Sequence, residues 1–332
     1  MEIAPPELAT ELAFLRTPGA LHDGAAVDCI ETHMSYVMLT ERHAWKLKKP
    51  VRLPFLDHST LDRRRHSCET ELRLGRRFAP SVYLGIVSIN AGPDGLTISG
   101  TGKVVDWMLV MRRLPADRML PQMLERRAAT VEHADSVAEL LAAVYQHARR
   151  APWDGASYRS RLRATTQATA RELVERGAPR ADIDAILASL LARLERLADV
   201  LDARVAAGRV VEAHGDLRPE HVCLERPPLI IDPLEFDQDL RTLDTISELA
   251  FFALECDRIA AGWFGQRVLS HYEARSGDLV SPQVIALYQR QHAFTRALIA
   301  LRHLEDAPVA QHPRWYARAA DYLDHARGTP AG

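Results

Sequence analysis

No apolar run in the 332-residue chain approaches the roughly eighteen to twenty residues that a membrane-spanning helix needs. The first residues also lack a basic segment ahead of an apolar one. Neither a membrane helix nor a secretory leader is expected, and the chain reads as cytoplasmic. Cysteine is scarce: Cys29, Cys68, Cys223 and Cys256 are scattered without a C-x-x-C pair. That argues against a zinc site or a disulfide framework and for reduced, buried thiols. Neither sign of charge is in excess, with 42 basic and 44 acidic residues and a formal net charge of −2. Composition therefore offers no electrostatic basis for binding nucleic acid or an anionic membrane. No G-x-x-x-x-G-K-[ST] stretch occurs, which excludes a P-loop. Lysine is rarest relative to need: four residues against thirty-eight arginines, and three of the four are Lys46, Lys48 and Lys49. Arginine serves wherever a generic positive charge suffices, so a place that keeps lysine is one that wants a compact ammonium on a flexible stem.

The most informative stretch is Val211 to Asp237, V-E-A-H-G-D-L-R-P-E-H-V-C-L-E-R-P-P-L-I-I-D-P-L-E-F-D. Two short apolar runs, Val222 to Leu224 and Leu229 to Ile231, flank a Pro-Pro turn, which predicts a small β-hairpin. Asp216 and His221 precede it and Asp232 follows it. A hairpin of this kind gathers these three at one end of a ribbon, where carboxylate and imidazole groups suit a divalent cation and the oxygens it carries.

His214-Gly215-Asp216-Leu217-Arg218-Pro219-Glu220-His221 matches, position by position, the kinase catalytic loop H-R-D-L-x-x-x-N, with His221 in the Asn place. Ile230-Ile231-Asp232 matches the apolar-apolar-Asp segment whose Asp holds the metal. In its H-G-D form the stretch resembles aminoglycoside phosphotransferases and other small-molecule kinases. The longer run, continuing into I-D-P-L-E-F-D, is similar to the bacterial group of that family whose substrate is unassigned. The resemblance implies an α+β, protein-kinase-like bilobal fold: a small antiparallel sheet with one long helix in an N-lobe over residues 1–112, and a larger, mostly helical C-lobe over residues 113–332.

A pass along the chain supplies the other expected parts. Pro5 to Phe14 is a short helix. Ala26–Ile30, Ser35–Thr40 and His43–Leu47 are strands. Alternation puts Ala44, Lys46 and Lys48 on one face of the third and Trp45 and Leu47 on the other. The kinase V-A-I-K strand has an alanine two residues before its phosphate-binding Lys; Ala44-Trp45-Lys46 keeps that offset. Lys46 is the first choice and Lys48 the second, against a cluster that merely blunts a sheet edge. The segment before this strand, Glu31 to Ser35, has no glycine-rich loop, leaving hydroxyls such as Ser35 and backbone N–H groups to meet phosphate. Leu61 to Phe78 is a helix capped by Ser59 or Thr60. The resembled fold takes from it a Glu for the strand Lys: Glu71 is preferred, with Leu74 and Phe78 following at i+3 and i+7, and Glu69 is the alternative. Val82–Ile89, Gly95–Ser99 and Val104–Met111 are further strands, and the chain after Met111 stands where the interlobe hinge meets the adenine edge. Ala134–Arg149, Tyr158–Arg176, Ala181–Ala207 and Asp244–Ala260 are helices. Glu248, or Asp244, stands where the family places an acid that supports the catalytic loop.

The implied chemistry is transfer of the γ-phosphoryl group of ATP to a hydroxyl of a small molecule. Asp216 would act on the acceptor hydroxyl and Arg218 would meet the transferred group. Lys46, set by Glu71, would grip the α/β-phosphates, and Asp232, His221 and Glu235 would hold Mg2+. An imidazole favours Mn2+ more than a carboxamide does. Two rivals share these residues. A pseudokinase would bind nucleotide without transfer, and a metal-dependent hydrolase would use His214, Asp216, His221 and Asp232 as ligands. The acceptor, and the oligomeric state, are not written in the sequence.

Overall fold

The structure is a computed structural model that describes residues 8–21, 28–53, 56–305 and 308–328. In chain order it runs α1 (Leu8–Leu15), β1 (Asp28–Glu31), β2 (Ser35–Leu39), β3 (His43–Lys48), β4 (Arg52–Leu53), β5 (Leu56–Asp57), α2 (Leu61–Phe78), β6 (Tyr83–Gly92), β7 (Gly95–Ile98), β8 (Lys103–Arg112) and α3 (Leu120–Glu125). Helices α4 (Val131–Gln146), α5 (Gly155–Glu175), α6 (Arg180–Arg196) and α7 (Ala198–Ala206) follow, then β9 (Val210–Glu212), β10 (Val222–Cys223) and β11 (Leu229–Ile230). The chain ends with α8 (Gln238–Arg241), β12 (Thr242–Asp244), α9 (Thr245–Arg258), α10 (Gly262–Ser276), α11 (Pro282–Arg302) and α12 (His312–Arg327). No described helix is long and apolar enough to cross a membrane. The expected first helix and first strand begin at Pro5 and Ala26, which lie outside the described residues.

The chain divides into two compact units, residues 1–129 with 220–241 and residues 130–219 with 242–332. The boundary expected at 112/113 falls inside the first unit. The segment after Arg112 stays with the sheet because the β10–β11 hairpin returns to it: Met119 bridges Cys223, and the Leu224 N–H donates to the Arg118 carbonyl at 2.8 Å.

The first unit is built on an antiparallel six-stranded sheet in the order β1-β2-β3-β8-β6-β7. Strand alternation divides its side chains as the sequence pattern requires. Trp45 and Leu47 join Leu15, Met38, Ile89 and Met108 in one apolar core. On α2 the buried residues are Arg64, Ser67, Cys68, Glu71, Leu74, Gly75 and Phe78, a single stripe at helical spacing. Thr60 caps this helix, accepting from the Arg63 N–H. A second small core, with Val82, Tyr83, Leu109, Cys223 and Leu229, ties the sheet to the hairpin.

The second unit surrounds α9, in which every residue from Thr245 to Cys256 is buried. Strand β9 pairs with β12 just before it. Buried Arg204 of α7 donates to both Asp244 and Asp278, and the Tyr288 hydroxyl donates to Asp244 at 2.9 Å. Asp244 also caps α9 through the Ile246 N–H. This network fixes the start of α9 against β9. The helix expected over Ala181–Ala207 is instead two, α6 and α7, broken at Leu197.

One buried acid sets a pH dependence for the first unit. Glu11 is 4 % exposed. Burial and the neighbouring Asp106 push its carboxyl up to about 8, against the pull of Arg64. The folded chain therefore keeps a proton that the unfolded chain releases above about pH 4.5. A retained proton makes stability fall as pH rises, here from about 4.5 to about 8. Glu11→Gln removes this penalty. Its stability advantage over the wild type should grow by up to about 1.4 kcal/mol per pH unit across that window, read from urea titrations at pH 5, 6.5 and 8. A constant difference would place an ionised Glu11 in the fold.

Candidate active site

The first unit assembles two lysines and three carboxylates on one face of β3. Glu71 sits mid-stripe on the buried face of α2, so its carboxylate points into the protein rather than to water. Its Oε1 accepts from Lys46 Nζ at 2.8 Å, and its Oε2 accepts from Lys48 Nζ. Lys46 continues to Asp232 Oδ1 at 2.6 Å, and Lys48 continues to Glu235. One dry carboxylate thus clamps two ammonium groups, each of which carries a second acid from the segment after β11. Desolvation would lower both lysines, but Asp232 and Glu71 hold Lys46 well above its ordinary value, and Glu235 and Glu71 hold Lys48 up. Desolvation would raise Asp232, but Lys46 and then His221 outweigh it and keep its carboxyl well below the usual range.

The two lysines differ in access. Lys48 is fully buried, whereas the Lys46 pair ends on Asp232, whose side chain is 46 % exposed. Asp232 occupies the left-handed region at φ 61°, which costs a non-glycine residue energy and is least unfavourable for Asp and Asn. Its backbone N–H is satisfied by the Tyr83 hydroxyl at 2.8 Å. Tyr83 is held in turn by Gly75 of α2, where a Cβ would meet the ring at 2.3 Å. Neither Gly75 nor Tyr83 was expected in the site; a glycine inside an otherwise good helix was the available signal. His221 Nε2 lies 3.6 Å from Asp232 Oδ2.

In the second unit the loop after β9 is built around Glu248. Its carboxylate accepts from the backbone N–H of His214 at 3.0 Å, from the N–H of Gly215 and from the Tyr145 hydroxyl. Gly215 takes φ 88°, a conformation that glycine alone adopts freely. His214 is completely buried behind the loop. Asp216 then emerges with its Oδ2 accepting from Arg218 Nε at 3.1 Å, and its Oδ1 lies 3.8 Å from Arg296 Nη1. His292 bonds Ser247 through Nε2 at 2.9 Å, and burial pushes its imidazole down to about 4 despite the nearby Asp216.

The expected residues divide as follows. Lys46, Lys48, Glu71, Asp232, Glu235 and His221 come together in the first unit, while Asp216 and Arg218 lie in the second. Glu69 faces outward and pairs with Arg65. Ala44 and Met111 are register partners on β3 and β8, so they share the face of Lys46. Two expectations change. Ser35 is 1 % exposed, and its N–H is taken by the Thr32 hydroxyl at 3.0 Å. It closes the β1–β2 turn and does not present its hydroxyl to a ligand. Glu235 is buried against Lys48, so it neutralises that ammonium and does not join His221 and Asp232. Among the described residues no three His, Cys, Asp or Glu side chains converge as a metal-binding set. A carboxylate beside one imidazole still fits a cation delivered on a nucleotide, because Mg2+ commonly takes one or two protein ligands and completes its shell with phosphates and water.

The phosphotransferase enzyme family matches residues 56–278 of the chain. Uncharacterized proteins of Mycobacterium tuberculosis and Mycobacterium bovis are 28 % identical over 318 residues, which is 92 % of this chain and 61 % of theirs. The chain thus spans about three fifths of the length of the curated relatives it matches. The fold is that of the choline kinase LicA from Streptococcus pneumoniae, with TM-score 0.58, 17 % identity, and 95 % of this chain and 99 % of that one covered. It is also that of the aminoglycoside 2'-phosphotransferase-IIIa, with TM-score 0.54, 12 % identity and coverage of 98 % and 100 %.

The lysine clamp predicts unequal costs. Lys48→Met strands Glu71 and Glu235 without their shared ammonium and should cost about 3–5 kcal/mol. Lys49, paired with exposed Glu31 at 2.6 Å, should cost under about 1 kcal/mol on the same change. Urea denaturation of the two variants distinguishes these outcomes; equal losses would show that the Lys48 network contributes no more than a surface pair.

Proposed function

The chain belongs to the phosphotransferase enzyme family, and from that premise we propose that it transfers the γ-phosphoryl group of ATP to a hydroxyl of a small molecule. The observation that carries this reading is Lys46 bridging Glu71 and Asp232. An ammonium set by a dry carboxylate and shared with an accessible one is suited to exchange its second partner for phosphate oxygens. In this reading Lys46, oriented by Glu71, binds the α/β-phosphates, and the base lies against the face that carries Ala44 and Met111. Asp232 with His221 would hold Mg2+ or Mn2+. When bound, the ion neutralises charge on the phosphates. Lys48 and Glu235 keep the Asp232 segment fixed to β3.

Asp216 accepts or orients the acceptor's hydroxyl proton, and Arg218 steadies the transferred group. The loop is fit for this because Glu248 occupies the His214 and Gly215 N–H groups and so fixes the direction of the Asp216 side chain. Catalysis here rests on positioning and on fixed charge.

Asp216→Asn should reduce transfer roughly 10²–10⁴-fold and leave nucleotide affinity within about threefold, whereas Lys46→Met should weaken nucleotide binding at least about tenfold. Calorimetry with ATP and magnesium, paired with release of ADP in a metabolite extract, separates the two effects. Wild-type protein that binds ATP but transfers nothing to any acceptor would replace this reading with a nucleotide-binding module.

A further inference from the structure

The second unit contains a pocket of about 140 Å³ lined by Arg218, Arg296, Ile299, Ala300, His303, Trp315, Arg318 and Tyr322. Three guanidinium groups and an imidazole face it, and no carboxylate lines it. Arg218 belongs to the Asp216 loop, Arg296 and His303 to the α11 stretch, and Trp315 and Arg318 to α12. The pocket therefore begins at the Asp216 loop and extends away along two helices.

Two of its cations, Arg296 and Arg318, are only partly answered among the described residues. Asp216 is the acid nearest Arg218 and Arg296. The other nearby acids are engaged: Glu255 takes the Tyr322 hydroxyl at 2.6 Å and lies 3.6 Å from Arg258, and Asp321 pairs with Arg258 at 2.7 Å. Arg318 lies over the rings of Trp315 and Tyr322 and meets no carboxylate among the described residues. Arg296 Nε and Trp315 Nε1 are buried N–H donors with no hydrogen-bond partner among the described residues. Buried donors are rarely left so, because each costs the desolvation it does not recover. Trp315 is further backed by the His303 ring, with centroids 4.1 Å apart, which makes the pocket wall stiff.

We propose that this pocket is the acceptor site and that the acceptor is an anion: a hydroxyl-bearing small molecule whose carboxylate or phosphate group is held by Arg296 and Arg318. The inference rests on the phosphotransferase reading and narrows it. Guanidinium groups match the two-oxygen edge of carboxylate and phosphate. A choline-like or aminoglycoside-like cation would meet three like charges instead. In the step itself the acceptor hydroxyl oxygen forms a bond to the γ-phosphorus and that phosphorus releases the ADP oxygen. The hydroxyl proton passes to Asp216, and ADP leaves with the electron pair of the broken bond.

The test fractionates a bacterial metabolite extract by ion exchange before reaction, then incubates each pool with the full chain, magnesium and γ-labelled ATP. Labelled product should arise from the pool retained on the anion exchanger. Treating that pool with phosphatase beforehand separates the sources: a phosphate-bearing acceptor is lost and a carboxylate survives. On the acceptor so found, Arg318→Gln should raise KM at least tenfold, Arg318→Glu more, and Arg318→Lys less, with KM for ATP within twofold in all three. Label confined to the neutral or cationic pool would overturn the anionic acceptor while leaving the kinase reading intact. So would an acceptor KM indifferent to Arg318. Label in no pool would overturn the kinase reading itself, and this inference with it.

Discussion

Glu71 is the group on which the first unit depends. It is a carboxylate on the buried stripe of a helix, where an ionised acid survives only if it is fully paired. The pairing is supplied twice, by Lys46 and Lys48 from one face of β3. Each lysine then needs its remaining donors satisfied, and the segment after β11 provides Asp232 and Glu235 for that purpose. A helix, a strand and a hairpin distant in sequence are thereby held in one arrangement by charges that none of them could bury alone. The deeper half of this network, Lys48 with Glu235, is closed to solvent. The outer half, Lys46 with Asp232, reaches an accessible side chain. Structure and proposed chemistry thus share one set of groups, with the buried pair fixing the place of the accessible one.

Much of this was legible in the chain because it obeys short-range periodicity. Alternation along His43 to Lys48 put the lysines opposite Trp45 and Leu47. Spacing from Leu74 and Phe78 selected Glu71 over Glu69. The Pro-Pro turn marked the hairpin. What was not legible depends on tertiary contact. The offset from Ala44 ranked Lys46 ahead of Lys48, but the physical difference between them was not legible: both face the same way and both reach Glu71, and they differ in depth. The surroundings of Glu235 and Ser35 were hidden for the same reason, since burial turns one toward a lysine and places the other in a turn. The Tyr83 hydroxyl accepts from a backbone N–H 149 residues away, a pairing with no local signature. The compact units differ from a division at 112/113 because a hairpin near residue 225 folds back with the N-terminal sheet.

Arginine composition worked in two directions. It made the lysine cluster conspicuous, yet it hid Arg296 and Arg318, because an arginine in an arginine-rich chain carries no signal until two helices bring several together. The charge of that pocket underlies the proposal of an anionic acceptor, while the fold is similar to that of the choline and aminoglycoside kinases. Family membership fixes the kind of reaction expected, and the local charge bears on which molecule receives the phosphoryl group.

The proposed function turns on the Lys46–Asp232 pair: phosphate would take the ammonium, and Asp232 would then be free to hold the cation. Its most direct test is the affinity for ATP measured with and without magnesium. Without the cation, phosphate that draws Lys46 away leaves Asp232 facing negative charge, so ATP should bind at least about tenfold more weakly. In Asp232→Asn this dependence on magnesium should shrink severalfold. Equal ATP affinity with and without magnesium in the wild-type protein would contradict the claim.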